Sequence, residues 1–384
     1  MKYTDEYAGR ILCRLLSLRG VPQKSPPGTD NVKNILFIKF WGLGSIILAT
    51  PAVKMVRARY PNAKLHFLSF GSNREVLSLI PEIQNITTIR LTNPFAFVLD
   101  TIKIIFTLRK INFDIVFDFE FFTYYSALIA RLIKAKYTVG FNNHKNRRST
   151  LFTNTVEFND HIHTRENFLH LVGAEGSDGS FTLLKASENN LPTKLKGKPY
   201  IVVNPNASKM AYERRLPAGY FVKLVNSLVR ETKYNIVFTG SSEEKNYVNG
   251  IISALGNSSL VIDLSGKLSV NGLAELIAGA KCLITNDSGP LHIASAVDTP
   301  VEAFFGPESP VRYGALSTRQ LVFYRGLECS PCMSISNSKT VNCVHSEPIC
   351  MTGFDIEEII VKTGEFLSIL SAAKDPINNV LLKR

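Results

Sequence analysis

The chain has 384 residues, 45% hydrophobic and 20% charged, an ordinary globular composition that excludes a disordered protein and exceeds what one hydrophobic core usually serves, so two domains are predicted. A formal net charge of +12 favours anionic partners, whether nucleic acid, an anionic membrane surface or phosphorylated small molecules, without choosing among them. No apolar stretch approaches the roughly 18 to 20 residues that span a bilayer, and the N-terminus lacks a signal-peptide core with a cleavage site, so a cytoplasmic protein is expected.

The first predicted element is a leader, residues 1–32. Within it, Tyr7 to Gly20 sets Ile11, Leu12, Leu15, Leu16 and Leu18 among Arg10, Arg14 and Arg19. That is the pattern of a basic amphipathic helix, which lies flat on anionic lipid or docks on the protein's own surface. A connector from Pro22 to Gly28 follows, and strands then alternate with helices. Asn34–Phe40, Lys64–Ser69, Ile86–Leu91, Phe113–Asp118 and Tyr137–Phe141 read as strands. Ile46–Tyr60, Asn73–Ile80, Pro94–Lys110 and Tyr124–Ala135 read as helices, and this rhythm predicts a parallel, doubly wound sheet over residues 33–185. The loop Trp41-Gly-Leu-Gly-Ser45 after the first strand has two glycines for a tight turn, Gly42 and Gly44. Ile47 takes the third-glycine position of a dinucleotide fingerprint, which disfavours a dehydrogenase. The basic run His144-Lys-Asn-Arg-Arg148, ahead of a helix-poor region with His161, His163 and Arg165, suits a phosphorylated acceptor or a solvated loop. Its cations are dispersed and no aromatic-stacking module accompanies them, so nucleic acid is not expected as a partner.

Polar residues from Gly176 to Lys198 mark a hinge, after which the rhythm restarts over residues 186–354. Pro199–Asn204, Tyr234–Thr239, Leu260–Leu264, Lys281–Thr285 and Pro300–Phe305 are predicted strands. The intervening helices are Tyr220–Thr232, Glu243–Leu255, Val270–Ala280 and Pro290–Val297, and a last helix opens the segment 355–384. Two such halves place a cleft between the carboxyl ends of two sheets, where open α/β folds bind ligands. In Thr285-Asn-Asp-Ser-Gly-Pro-Leu-His292, Asp287 or Ser288 can cap the next helix and Pro290 takes a first-turn position. Such a helix start holds a diphosphate or is simply capped.

The stretch Thr285 to Pro310 resembles the donor-binding segment of the heptosyltransferases of glycosyltransferase family 9, and Trp41 to Pro51 resembles that family's first loop. Asn204-Pro-Asn-Ala-Ser208 with Arg214-Arg-Leu-Pro217, Thr239-Gly-Ser-Ser-Glu-Glu244 and Leu264-Ser-Gly-Lys-Leu-Ser269 match three more of its signatures. The resemblance implies an α/β GT-B fold, two Rossmann-like domains facing a central cleft. It also implies inverting transfer of a sugar from a nucleotide-sugar, commonly ADP-heptose, to a lipid-linked surface glycan such as lipopolysaccharide, by a peripheral enzyme at the cytoplasmic membrane face. By position it assigns Asp287, Ser288, Gly289 and His292 to the donor's diphosphate and sugar and Arg214 to phosphate. It places Thr239, Gly240, Glu244, Gly266 and Lys267 near the nucleoside, although Glu244 and Lys267 also suit ordinary turn chemistry. Gly42, Gly44 and Ser45 fall on the acceptor loop.

The family's first loop carries an aspartate, a favoured general base, where this chain has Ser45. A replacement is sought at another strand end. Glu120, just past the strand Phe113–Asp118 and expected to face the cleft, is the first candidate and Asp118 the next; positioning the acceptor or capping a helix is the competing role for both. Asp118-Phe-Glu120 also resembles the Asp-x-Asp metal signature of other glycosyltransferases, but it lies in the wrong half for a GT-B donor. Arg214 and a helix dipole can replace a metal, so no cofactor is expected for catalysis. Related transferases with another nucleotide sugar, or a sugar-nucleotide-binding protein that has lost its base, are the alternatives. Cys329, Cys332, Cys343 and Cys350 admit a structural zinc, disulfides or free thiols, and the six residues between the last two exceed common zinc spacing. His345 is a further potential ligand, with a solvated side chain the favoured reading.

Overall fold

The computed structural model describes residues 5–18, 20–142, 147–177, 179–181, 192–207, 211–256, 258–334 and 339–372. The chain divides into two units, residues 1–184 and 185–384. The predicted hinge falls partly, and the basic run at His144–Asn146, Ser208 and the tail from 373 fall wholly, outside the described residues.

In the first unit a π-helical turn, Asp5–Gly9, runs into α1 (Arg10–Ser17). Then come β1 (Asn34–Ile38), α2 (Leu43–Arg59), β2 (Lys64–Phe70), α3 (Arg74–Ser78), β3 (Asn85–Ile89) and α4 (Pro94–Arg109). They are followed by β4 (Ile115–Asp118), α5 (Tyr124–Ile133), β5 (Tyr137–Asn142), β6 (Asn154–Glu157) and α6 (Thr164–Leu171). The second unit runs β7 (Tyr200–Asn204), α7 (Ala218–Glu231), β8 (Asn235–Phe238), α8 (Lys245–Ser253), β9 (Val261–Asp263) and α9 (Val270–Ala278). It continues with β10 (Cys282–Asn286), α10 (Gly289–Ala296), β11 (Val301–Phe305), α11 (Pro310–Tyr313), β12 (Gln320–Tyr324), α12 (Ile349–Thr352) and α13 (Ile356–Ala372).

Every ladder is parallel, and the orders are β3-β2-β1-β4-β5-β6 and β12-β11-β10-β7-β8-β9. Counted from its own first strand, the second sheet repeats the order of the first. Central strands such as β7 and β10 are buried along their whole length, as a sheet covered on both faces requires. Each unit therefore has one point where successive crossovers leave in opposite directions, between β1 and β4 and between β7 and β10, and ligands collect at the carboxyl side of such points. Register brings the chain ends there together: Ile38 pairs with Asp118, and Thr285 with Asn204.

Three elements carry no strong sequence signal. β6 is a short polar edge strand, and just before it the Thr153 hydroxyl accepts from the Thr138 N–H at 2.7 Å. α6 occupies the region expected to be helix-poor, its start capped by His163 Nδ1, which accepts from the Arg165 N–H at 3.2 Å. β12 closes the other edge of the second sheet.

Candidate functional site

At the first switch point the glycine loop is built around Glu120. One of its oxygens, Oε1, accepts the N–H groups of Phe40 and Trp41 at 2.7 and 2.8 Å. The other lies 3.0 Å from Lys39 Nζ, and both side chains are fully buried. Burial lowers the affinity of Lys39 for its proton, and the Glu120 charge opposes that shift. The neighbouring pair is Asp118 and Arg148, also fully buried and 2.7 Å apart. Asp118 also accepts from the Glu120 N–H at 3.0 Å and the Ser126 hydroxyl at 2.8 Å. Burial pushes its carboxyl up to about 6 against the pull of Arg148. Arg148 donates in turn to the carbonyls of Thr123 and Phe141.

This arrangement corrects the expectation that Glu120 faces the cleft. Both of its oxygens are occupied by groups that hold the loop, so it shapes Phe40–Gly42 and offers no open base. Asp118 is enclosed in the same way. Arg148, read as part of a surface run, is an interior counter-ion, because two buried carboxylates need two buried cations to remain ionised. Gly42 turns the chain at φ 83°, where a side chain is strained, and a Cβ there would lie 3.2 Å from Ser45 Oγ. Gly44 is packed in the first turn of α2, and Ser45 is half-buried beside Gly42.

The second switch point is built from amides. Asn286 Nδ2 donates to the Pro205 carbonyl at 2.9 Å, and its Oδ1 accepts the Leu216 N–H at 3.0 Å. Asn204 and Asn206 both donate to the Thr239 carbonyl, at 3.3 and 3.1 Å. On this neutral frame Arg214 Nη1 lies 2.9 Å from Asp287 Oδ2, just ahead of α10. Ser288, in extended conformation, is the N-cap residue, and its hydroxyl is 3.1 Å from that of Thr285. It makes no side-chain cap bond, and Gly289 and Pro290 open α10 at its positive dipole end. His292 is buried one turn on, its ring 6.2 Å from Tyr313.

Thr239, Gly240 and Gly266 are brought together. The Gly266 N–H donates to the Gly240 carbonyl at 2.8 Å, and a Cβ on Gly240 would lie 2.8 Å from Asn206 Nδ2. Glu244 and Lys267 perform turn chemistry: Glu244 accepts the Ser241 N–H at 2.8 Å, and Lys267 Nζ donates to the Asp263 carbonyl at 2.7 Å.

Sequence reasoning missed Lys39 and Arg215. The first was visible as a lone cation in the apolar run Ile38-Lys39-Phe40. Arg215 lies 4.4 Å from the ring centre of Tyr212 and 4.2 Å from that of Tyr247, a stack joining two distant segments without a local signal. Glu308, in the turn after β11, is buried against Arg312 at 2.6 Å and Lys339.

The four clustered cysteines and His345 line one small cavity, and Cys329 Sγ is 3.8 Å from His345 Nε2. All four thiols are free. Among the described residues no three His, Cys, Asp or Glu side chains are grouped closely enough to hold a metal ion. Burial, with the neighbouring thiols, pushes the Cys350 thiol up to about 11.

The family model for glycosyltransferase family 9 (heptosyltransferase) matches residues 101–342. A lipooligosaccharide heptosyltransferase 2 from Campylobacter jejuni subsp. jejuni serotype O:6 is 25% identical over 333 residues, 86% of this chain and 97% of that protein. Among solved structures, a family 9 glycosyl transferase from Veillonella parvula covers 90% of this chain and 99% of its own, with TM-score 0.71 and 19% identity. The E. coli ADP-heptose lps heptosyltransferase II covers 88% and 100%, with TM-score 0.70 and 20% identity. At these identities the structural likeness speaks for the α/β two-domain fold.

Proposed function

The chain belongs to glycosyltransferase family 9, the heptosyltransferases, and is a glycosyltransferase; from that premise we propose that it transfers heptose from ADP-heptose, with inversion, to a lipid-linked surface glycan of lipopolysaccharide type. The observation that carries the donor half is the Arg214–Asp287 pair at the start of α10. It sets a guanidinium beside the uncapped donors of a helix, and a diphosphate leaving group needs that combination as negative charge develops. Arginine and the helix start serve in place of a metal cofactor in this reading, with Ser288 and Gly289 at the phosphates and Thr239, Gly240 and Gly266 toward the nucleoside.

In the chemical step an acceptor hydroxyl attacks the anomeric carbon, the bond to the diphosphate breaks, and the hydroxyl proton leaves to a base. Glu120 serves this step as a positioning residue: with Lys39 it fixes the loop that carries Gly42, Gly44 and Ser45. Glu120→Gln separates that role from a base. A positioning residue loses turnover and thermal stability together and leaves the pH profile of the residual rate unchanged. A base loses turnover with stability intact and removes the acidic limb.

The whole reading is tested by incubating the protein with ADP-heptose and a heptose-acceptor glycolipid and weighing the glycolipid by mass spectrometry. One added heptosyl group is the expected result. Donor binding without any transfer to a panel of acceptors would instead make it a binding protein. On this reading the enzyme works peripherally at the cytoplasmic membrane face. Among the described residues no helix is long and apolar enough to cross a membrane.

A further inference from the structure

Two helices of the first unit present apolar side chains to solvent. On α4, Phe95, Val98, Leu99, Ile102 and Phe106 are exposed, Phe95 by 74% and Phe106 by 59%. Their spacing of three and four residues makes one stripe, about 16 Å long at the helical rise. The opposite face is fastened to the unit: Phe97 packs on Tyr125 with ring centres 5.0 Å apart, and the Thr101 and Tyr125 hydroxyls are 2.6 Å apart. The π-turn and α1 expose Tyr7, Ile11, Leu15 and Leu18, the last by 82%. Here too the inner face is fixed, since Cys13 is buried and a Cβ on Gly9 would lie 2.5 Å from Tyr124 Cβ. Asp5 accepts the N–H groups of Tyr124 and Tyr125 at 3.0 and 2.8 Å. Both helices thus seat on the first turn of α5, one through Tyr124 and the other through Tyr125.

Such a pair of stripes is costly in water unless something covers it. Charge decides what. Among the described residues of α1 and α4, the exposed charged side chains are Arg10, Arg14 and Lys103, all basic. Asp100, the one acidic residue of α4, is held by Arg90 at 2.8 and 2.9 Å, and that bidentate pair keeps its carboxyl down at about 2. Apolar stripes on α1 and α4 edged by Arg10, Arg14 and Lys103, with Asp100 held in its ion pair, match a bilayer with anionic headgroups, where the rings enter the acyl boundary and the cations meet phosphate.

We propose that α1 and α4, clamped on the first turn of α5, form one docking face for an anionic lipid bilayer. The proposal rests on the reading of the acceptor as lipid-linked and extends it, because it names the surface by which the first unit meets that lipid.

The test is co-sedimentation of the full chain with phosphatidylethanolamine–phosphatidylglycerol vesicles and with phosphatidylcholine vesicles. The chain is expected to partition onto the anionic vesicles, more weakly onto phosphatidylcholine, and less as salt rises. Phe95→Ser with Phe106→Ser should lower partition by about ten-fold or more, since two exposed rings lose their apolar burial. Arg10→Glu with Arg14→Glu should lower it on the anionic vesicles alone. Both double variants alter solvent-facing side chains, so they should keep the wild-type melting temperature and the wild-type thermal shift with ADP-heptose. That shift also separates this proposal from the donor reading, because its loss leaves vesicle binding unaffected. Absence of partition by the wild-type chain, or partition unchanged by both double variants, would overturn the proposal. So would a dimer that Phe95→Ser with Phe106→Ser converts to monomer, since the face would then belong to a second copy.

Discussion

The two switch points share a strand order and differ in how they satisfy their polar groups. The first buries Lys39, Glu120, Asp118 and Arg148, four charged side chains that neutralise one another in two pairs. The second uses the amides of Asn204, Asn206 and Asn286 as its frame and holds the Arg214–Asp287 pair, with Asp287 buried, just ahead of α10. A buried ion is tolerated only when it is paired, so the charges of the first site are consumed in holding its loop. Neutral amides satisfy the backbone without charge, and the Arg214–Asp287 pair stands beside a helix start instead of inside that frame.

Removing half of a pair at the first site should have the largest effect. Lys39→Met leaves Glu120 ionised in the interior and is expected to cost about 3–5 kcal/mol in urea denaturation. The double variant Lys39→Met with Glu120→Gln should recover most of that loss. Equal damage from the single and double variants would show that the pair is not what stabilises the loop.

At the second site the same operation should affect binding more than folding. Arg214→Met is expected to weaken donor binding about 10- to 100-fold in calorimetry, the worth of a charge-assisted hydrogen bond at about 1.5–3 kcal/mol. Arg214→Lys should restore part of it. An unchanged affinity in Arg214→Met would remove the phosphate role.

A third variant contrasts paired with unpaired carboxylates. Glu302, fully buried in β11, accepts from the Thr363 hydroxyl at 3.0 Å and forms no ion pair among the described residues. Burial pushes it up to about 8, above its ordinary 4.5. Its contribution to stability is therefore full below pH 4.5 and is lost as pH rises through 8. Glu302→Gln should flatten that part of the stability profile, on the order of 1–3 kcal/mol for a buried polar group. A profile identical to wild type would mean that Glu302 stays ionised. The smallest effect is at Gly42, where Gly42→Ala forces a side chain to positive φ and should cost about 1 kcal/mol in thermal denaturation.

Much of the frame was legible because apolar runs alternate with helical ones; Asn34–Ile38 and Val301–Phe305 need no partner to be read as buried strands. The second site was legible too, since Thr285 to His292 is contiguous and each residue acts within a turn of its neighbour. The first site was not. Glu120 lies 80 residues from the N–H of Phe40 that it accepts, and Arg148 lies 30 residues from Asp118, so neither partner announces the other. Position past a strand places a side chain near a ligand site without saying which way it points. β6 and β12 escaped because edge strands bury little and need no continuous apolar run. The stripe on α4 was readable as a helix, and its exposure became evident only with Tyr125 in place against its inner face.

The central claim is that the second unit binds an ADP-sugar through Arg214 and the start of α10. Thermal stabilisation across ADP-, UDP-, GDP-, CMP- and dTDP-sugars tests it most directly, since a ligand at about 100 times its dissociation constant adds roughly 2.7 kcal/mol. A shift confined to the ADP-sugar and lost in Arg214→Met is the predicted result. A shift confined to another nucleotide, or an ADP-sugar shift that persists in Arg214→Met, would contradict it.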